Sequence, residues 1–289
     1  MEIRVLRYFL AVAREGNITA AAEKLHLTQP TLSKQLMELE SELGKQLLIR
    51  GKRKITLTED GIFLRKRAQE IIELADKTKA DFLSEDSTIS GDIYIGGGET
   101  KGMSFITKAI KKVRDLYPNI RFHLYSGDEE IIAERLEKGL LDFGLFVGTA
   151  DLKKYDYIRL PTVNHFGLLM RKNDNLARCQ SIKPEMLTGL PVICPRQVIQ
   201  QNDLSGWLGQ GLESLNVVGT YNLLYNASLM VEDNIGYALC IDGLVENDTL
   251  CYRPLDQTTL AGNVFAWKKH QTFSKPAKKF LEILKEAIS

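Results

Sequence analysis

The sequence predicts an α/β protein in three consecutive parts: a small helical head, a long helix and a large α/β body. Three observations predict it. Short amphipathic stretches separated by Gly16, Asn17, Thr28 and Gly44 fill the first fifty residues. Apolar residues at heptad-like spacing run from Leu64 to Phe82. From Gly91 onward, strand-like runs alternate with helical ones.

The whole chain sets the bounds. Its 289 residues exceed what one compact core usually covers, so more than one domain is expected. A hydrophobic share of 44% with 26% charged residues is that of a globular protein. No run of about 18 apolar residues occurs, so no membrane span is expected. The start, "MEIRVLRYFLAVARE", carries arginine within its apolar part and no small-residue cleavage site, so a cytoplasmic location is expected. Cys179, Cys194, Cys240 and Cys251 form no C-x-x-C pair and have no histidine at ligand spacing, which points to reduced thiols. Whether any two make a redox pair depends on proximity in space. Charge is unevenly spread. Residues 1–67 hold 13 Lys and Arg against 8 Asp and Glu, whereas the remainder hold 25 against 29. A basic head on a slightly acidic body suits nucleic-acid binding by the head.

Each element of the head follows from local chemistry. Ile3, Leu6, Leu10 and Ala13 define a first helix that Gly16 ends. Asn17 caps a second, "ITAAAEKL", whose Ile18, Ala21, Ala22 and Leu25 share a face and admit a close neighbour. After a short turn at His26 and Leu27, Thr28 caps a third helix, and Pro30 is tolerated in its first turn. Leu32, Leu36, Leu39 and Leu43 form the inward stripe. Pro30, Lys34, Met37 and Ser41 lie opposite, with Thr31 and Ser33 beside them. The amino end is therefore polar, with free amides, short hydroxyls and a lysine, which suits the tip of a helix in a major groove. Leu47 to Arg50 and Lys54 to Leu57 read as two strands around Gly51 to Arg53. The hairpin carries Arg50, Lys52, Arg53 and Lys54, as a wing against backbone phosphate would. The head, residues 1–58, is thus a winged helix-turn-helix.

Thr58 caps the long helix, with Glu59 and Asp60 in its first turn and Leu57 and Ile62 placed as a hydrophobic staple. Leu64, Ala68, Ile71, Ala75, Thr78 and Phe82 form the heptad seam. Residues 59–88 are read as a linker that dimerises through Leu64, Ala68, Ile71, Ala75 and Phe82, ending in the polar hinge "SEDSTISG". The alternative is burial of the seam against the chain's own body.

In the body, "DIYIGGG", "IRFHLYSG" and "LLDFGLFVG" read as strands with helices between them, implying a parallel sheet with covered faces. "GGGETKG" fails the dinucleotide fingerprint because Lys101 stands at the third glycine position. "DFG" at Asp142 lacks any kinase catalytic loop and reads as a strand with a buried aspartate at its end. His26, His123, His165 and His270 are isolated, and no nucleophile motif or metal box occurs.

The stretch Tyr8 to Gly61 resembles the DNA-binding region of LysR-type transcriptional regulators. The resemblance rests on Phe9; on Gly16, Asn17, Ile18, Thr19, Ala21 and Ala22; and on Thr28 to Ser33 with Gln35. It continues through Leu39, Glu40, Leu43 and Gly44 to Arg50, Leu57, Thr58 and Gly61. Asn17 replaces the usual serine, Thr31 alanine and Leu48 phenylalanine, and Lys34 stands where arginine is common. Lysine lacks the two-pronged contact that guanidinium makes with guanine. The resemblance implies DNA contacts at Thr28, Gln29, Pro30, Thr31, Ser33 and Lys34 in the groove, and at Arg50 and Arg53 on phosphate.

For residues 89–289 the resemblance rests on "G-x-I-x-I-G", "L-D-F-G-L" and "D-N-I-G-Y-A-L". It implies an effector-binding domain like bacterial periplasmic solute-binding proteins, with lobe I at about 89–161 and 265–289 and lobe II at about 162–264. Strand ends in open α/β sheets place the ligand near Gly98, Thr100, Lys101, Ser126 and Val147 in one lobe, and near Arg196 and Asn226 in the other. Many members of the family take small carboxylates, but Glu99 and Lys101 have opposite charges and leave the effector's sign open. The expected function is sequence-specific, effector-responsive transcription regulation. Its expected partners are double-stranded DNA, a small-molecule effector, the chain itself as a dimer or tetramer, and RNA polymerase, with no membrane, no cofactor, no metal and no enzymatic activity. The competing reading is a solute-binding or enzymatic α/β body with incidental DNA binding.

Overall fold

The computed structural model describes residues 1–51, 54–83, 89–148, 152–201, 204–209, 211–245, 247–257 and 261–288. It separates into two compact units, Met1–Leu83 and Ser84–Ser289.

The first unit contains α1 (Ile3–Glu15), α2 (Ile18–Lys24), α3 (Gln29–Leu43), the strands β1 (Leu48–Arg50) and β2 (Ile55–Leu57), and α4 (Glu59–Leu83). Its boundaries lie where cap chemistry puts them. Gly16 ends α1 in the left-handed region, at φ 62°, and its N–H donates to the Val12 carbonyl. Asn17 accepts from the Ala20 N–H to open α2, and Thr28 accepts from the Thr31 N–H to open α3. Gly44, at φ 64°, closes α3. The side chains of Leu6, Phe9, Val12, Ala21, Ala22, Leu32, Leu36 and Leu39 form the core. Leu43, expected in the inward stripe, is 38% exposed because α3 has already run past the helices that cover Leu32 to Leu39.

The long helix departs from the heptad reading. Leu64, Ala68 and Ile72 are buried in the head's own core. Straight helices and supercoiled seams both bury residues three and four apart, and here the packing takes Ile72, four after Ala68, where the heptad reading takes Ile71. Leu64 and Ala68 therefore belong to the head's own core. Ile71 and Phe82 are exposed, at 37% and 86%, and Ala75 is half-buried. Ile62, expected in a staple with Leu57, is 53% exposed. The Thr58 cap does form, with Oγ1 accepting from the Gly61 N–H at 2.9 Å and donating to the Gln46 carbonyl at 2.7 Å. Gly61 is required there: a Cβ on it would lie 2.1 Å from the Leu47 carbonyl oxygen.

The second unit opens with β3 (Gly91–Gly97), α5 (Met103–Leu116), β4 (Ile120–Ser126), α6 (Glu129–Glu137), β5 (Phe143–Val147) and β6 (Tyr155–Asn164). It continues with β7 (Phe166–Arg171), β8 (Pro191–Pro195), α7 (Arg196–Gln201), α8 (Ser205–Leu208), β9 (Asn216–Tyr221), α9 (Leu224–Glu232), β10 (Tyr237–Ile241) and β11 (Leu250–Pro254). The last elements are β12 (Ala261–Lys268) and α10 (Lys275–Ile288). Two five-stranded sheets result, ordered β4-β3-β5-β12-β6 and β11-β7-β10-β8-β9.

Both sheets are mixed, which corrects the all-parallel expectation. β12 runs antiparallel to β5 and β6, and β7 runs antiparallel to β10 and β11. Lobe I packs α5 and α10 on one face of its sheet, over Ile93, Ile95, Phe143 and Phe265, with Phe280 of α10 set among them. The chain leaves lobe I only after Asn164, reaches β7 through His165 and returns to lobe I at β12. Both crossings thus lie within a few residues of Pro161 and Val264.

Candidate nucleic-acid interface and ligand cavity

The head's candidate site is the amino end of α3. Thr28, Gln29, Pro30, Thr31 and Lys34 are exposed and Ser33 is half-buried, while Leu32, Leu36 and Leu39 on the other side are buried. The cap gives the tip its shape. The Thr31 N–H reaches Thr28 Oγ1 at 3.4 Å, and the Thr28 and Thr31 hydroxyls lie 2.8 Å apart. The structure therefore brings all six residues expected in the groove to one end of α3, five of them exposed. Lys34 is 3.8 Å from Glu38, an exposed i,i+4 pair that leaves the ammonium accessible.

Glu40 holds the wing, a role that sequence reading did not assign. Its Oε1 accepts from the Leu47 and Leu48 N–H groups at 2.8 and 3.0 Å, and its Oε2 is 3.2 Å from Arg50 Nη2. One carboxylate from α3 thus satisfies two amides at the base of β1 and orients the wing's arginine. The Ile55 N–H donates to the Gly16 carbonyl at 2.7 Å, tying β2 to the first turn. Arg50 is partly exposed beside Glu40. Arg53, the other expected phosphate contact, lies outside the described residues, as does Lys52.

Within the second unit a cavity of about 260 Å³ opens between the lobes. Lobe I contributes Gly98 and Glu99 after β3, Gly127 to Glu129 at the start of α6, and Leu145 to Gly148 at the end of β5. Lobe II contributes Phe166, Pro195, Gln197, Val198, the Tyr221–Asn222 turn, Leu224, Ile241 and Leu244. Apart from Phe166, which begins the antiparallel β7, these lie at or just beyond the carboxyl ends of strands, where ligands of open sheets sit. Of the expected effector residues, Gly98 and Val147 line this cavity.

The other five are placed elsewhere. Thr100 is 6% exposed, and its Oγ1 lies 2.8 Å from Asn164 Oδ1 and 2.7 Å from Asn263 Oδ1, both on buried asparagines. A hydroxyl carries one proton, so a consistent network turns one of these amides to offer its nitrogen. The group stitches the start of α5 to the two strands that cross between lobes. Gly102 belongs to the same junction, since a Cβ there would meet Asn263 Cγ at 2.8 Å. The Lys101 ammonium reaches across to Asp242 Oδ2 at 2.8 Å and borders a separate, open surface pocket. Ser126, Arg196 and Asn226 are exposed, outside the cavity lining.

Polar contacts among the described residues join the lobes across the cleft. Besides Lys101 and Asp242, Gln197 Nε2 donates to Glu129 Oε2 at 2.8 Å, and the Leu224 N–H donates to Glu99 Oε2 at 2.6 Å. Burial alone would raise the Asp242 pKa, but the Lys101 ammonium and the His165 N–H bring its carboxyl below the ordinary value. Sequence reading placed Gln197 beside the cleft but missed Glu129 and Leu244, because no local pattern tells which residues of one lobe will face the other.

The thiols carry no redox pair on the central strands. Cys194 of β8 packs with Leu168 and Leu239 on one face of the lobe II sheet, and Cys240 of β10 packs with Leu169 and Ile193 on the opposite face. Burial pushes Cys194 up to about 11 and Cys240 to about 12, so both stay protonated at neutral pH. All four cysteines are free, and among the described residues no cluster of His, Cys, Asp and Glu could hold a metal ion. Among them, too, no helix is long and apolar enough to cross a membrane.

Comparison with known proteins agrees with this architecture. Residues 3–62 match the model of the bacterial regulatory helix-turn-helix proteins of the LysR family, and residues 86–289 match the LysR substrate binding domain. The Hca operon transcriptional activator HcaR of Escherichia coli is 30% identical, covering 100% of this chain and 99% of its own. The regulator BsdA of Bacillus subtilis is 31% identical over 68% of each chain. Among solved structures, full-length CbnR in complex with its target DNA superposes with a TM-score of 0.76 at 18% identity, over 99% of this chain and 100% of that one. With a LysR-type helix-turn-helix followed by a LysR substrate-binding domain, the chain belongs to the LysR family of transcriptional regulators.

Proposed function

We propose that this regulator reads operator DNA with the amino end of α3 and answers to a small molecule held between its lobes. The observation that carries the first half is the division of α3. Thr28 to Lys34 present hydroxyls, an amide side chain and an ammonium to solvent, while Leu32, Leu36 and Leu39 fix the helix in the core. Such a tip offers side chains to base edges and free amides to phosphate. The wing, held by Glu40, supplies Arg50 and, from the sequence, Arg53 to the backbone.

For the second half, the support is a largely apolar cavity at strand ends, bridged by the cross-lobe contacts of Lys101, Gln197 and Glu99. A ligand that binds one lobe geometry better shifts the population toward it, and paired heads then sit differently on DNA. Pairing through α4 would use what the head leaves exposed there: Ile71, Leu74 and Phe82. Contact with RNA polymerase follows from family resemblance. We read the body as a sensor and not as a catalyst.

The test is competition binding at physiological salt between the promoter region of the chain's own gene and random duplex of equal length. A preference of at least about a thousandfold is expected for a specific site. Equal affinity for both would remove the regulator reading.

A further inference from the structure

The inter-lobe cavity has one sign of charge. Among its described lining residues are the carboxylates of Glu99, Asp128 and Glu129, and no lysine, arginine or histidine. No residue of the body outside the description is basic either, as the sequence shows. The remaining walls are largely apolar, with Phe146, Phe166, Val198 and Leu244 among them.

Two helices begin at this cavity, and the chain's own carboxylates already occupy their starts. Asp128 caps α6, accepting from the Ile131 N–H at 3.1 Å. Glu99 reaches from lobe I to the first amide of α9, at Leu224, 2.6 Å away. Helix starts are where a protein ordinarily welcomes an anion. A ligand carboxylate here would meet like charge and find these two dipole ends taken. An ammonium would meet complementary charge in a cavity whose apolar walls keep the interaction little screened. The cavity makes the site and the carboxylates set its selectivity.

We propose that the effector of this regulator is a compact organic cation, an amine or amidine carried on an apolar body, rather than a carboxylate. This rests on the reading of the inter-lobe cavity as the effector site. Glu99 and Glu129 would face the cationic group, and the apolar residues of both lobes its hydrocarbon part.

The test uses the full-length chain and probes matched in shape but opposite in charge. These are 2-phenylethylamine with 3-phenylpropanoate, cyclohexylmethylamine with cyclohexylacetate, and hexylamine with heptanoate, titrated calorimetrically at low and moderate salt. At least one amine is expected to bind at least about tenfold more tightly than its carboxylate partner, and to weaken with salt. Glu99→Gln and Glu129→Gln each retain an acceptor oxygen for their cross-lobe bond while losing the charge. Each is expected to weaken amine binding by about tenfold or more. Carboxylates that bind as well as or better than the amines would overturn the charge class and leave the effector cavity standing. Absence of saturable binding by either set would overturn the proposal and count against the cavity as well.

Discussion

Replacing Glu40 by alanine should loosen the wing without touching any residue at the α3 tip. Its carboxylate accepts from two amides, at 2.8 and 3.0 Å, and these belong to Leu47 and Leu48, which are 2% and 1% exposed. A hydrogen bond to a charged acceptor is worth about 1.5–3 kcal/mol, and water cannot readily replace it under buried leucines. The pair with Arg50 lies in partial solvent and adds well under about 1 kcal/mol. Losing both amide bonds should therefore cost about 3 kcal/mol locally, or roughly 100-fold in the opening equilibrium. Hydrogen exchange over residues 45–50 of the full-length chain reads this directly. Glu40→Ala should accelerate exchange at the Leu47 and Leu48 amides by about that factor. Glu40→Gln, which keeps a neutral acceptor worth about 0.5–1.5 kcal/mol per bond, should fall between the two. Exchange within about twofold of the parent, or a glutamine variant no better than alanine, would refute the assignment of Glu40 as the wing's anchor.

Three further expectations follow from other features. Ser33→Ala should change which operators are bound, by about 1–3 kcal/mol at one base pair in a binding-site selection, and uniform weakening across all sequences would contradict the groove assignment. His26 holds φ 55° in the turn between α2 and α3, so His26→Gly should be neutral or stabilising in thermal melts, and His26→Val should cost about 1–2 kcal/mol. Asp92 is buried, and burial alone would raise its pKa, but the bidentate Arg121 and the His123 ring hold it below its ordinary 3.8. A carboxylate depressed on folding stabilises above its ordinary value, and that stability is lost as the pH falls through the folded one. Urea midpoints of the body should thus decline below about pH 4 in the parent and decline less in Asp92→Asn, and an unchanged slope would show that the cluster contributes nothing.

How much was legible in the chain depends on how local the determining chemistry is. The head's elements were readable because Gly16, Asn17, Thr28 and Gly44 act within one helical turn, and the leucine stripe of α3 repeats without a partner being known. The side of the long helix that the head buries was not legible because Leu64 and Ala68 fit both a heptad and a four-residue stripe, and only the packing against α1 selects Ile72 over Ile71 for the head's core. The sheets' mixed direction was hidden because β12 pairs with strands about a hundred residues earlier. Thr100 illustrates the limit at the cavity. A threonine after a strand looks the same whether it faces a ligand or a buried asparagine, and Asn164 and Asn263 decide the matter from distant positions.

The first crossing between the lobes is a single residue long. His165 alone separates β6 from β7, and Asp242 grips its backbone from both sides, accepting its N–H at 2.9 Å and donating to its carbonyl at 3.0 Å. So short a strap leaves no slack for sliding. At this crossing any relative movement of the halves would be a swing about the torsions of one residue and not a slide.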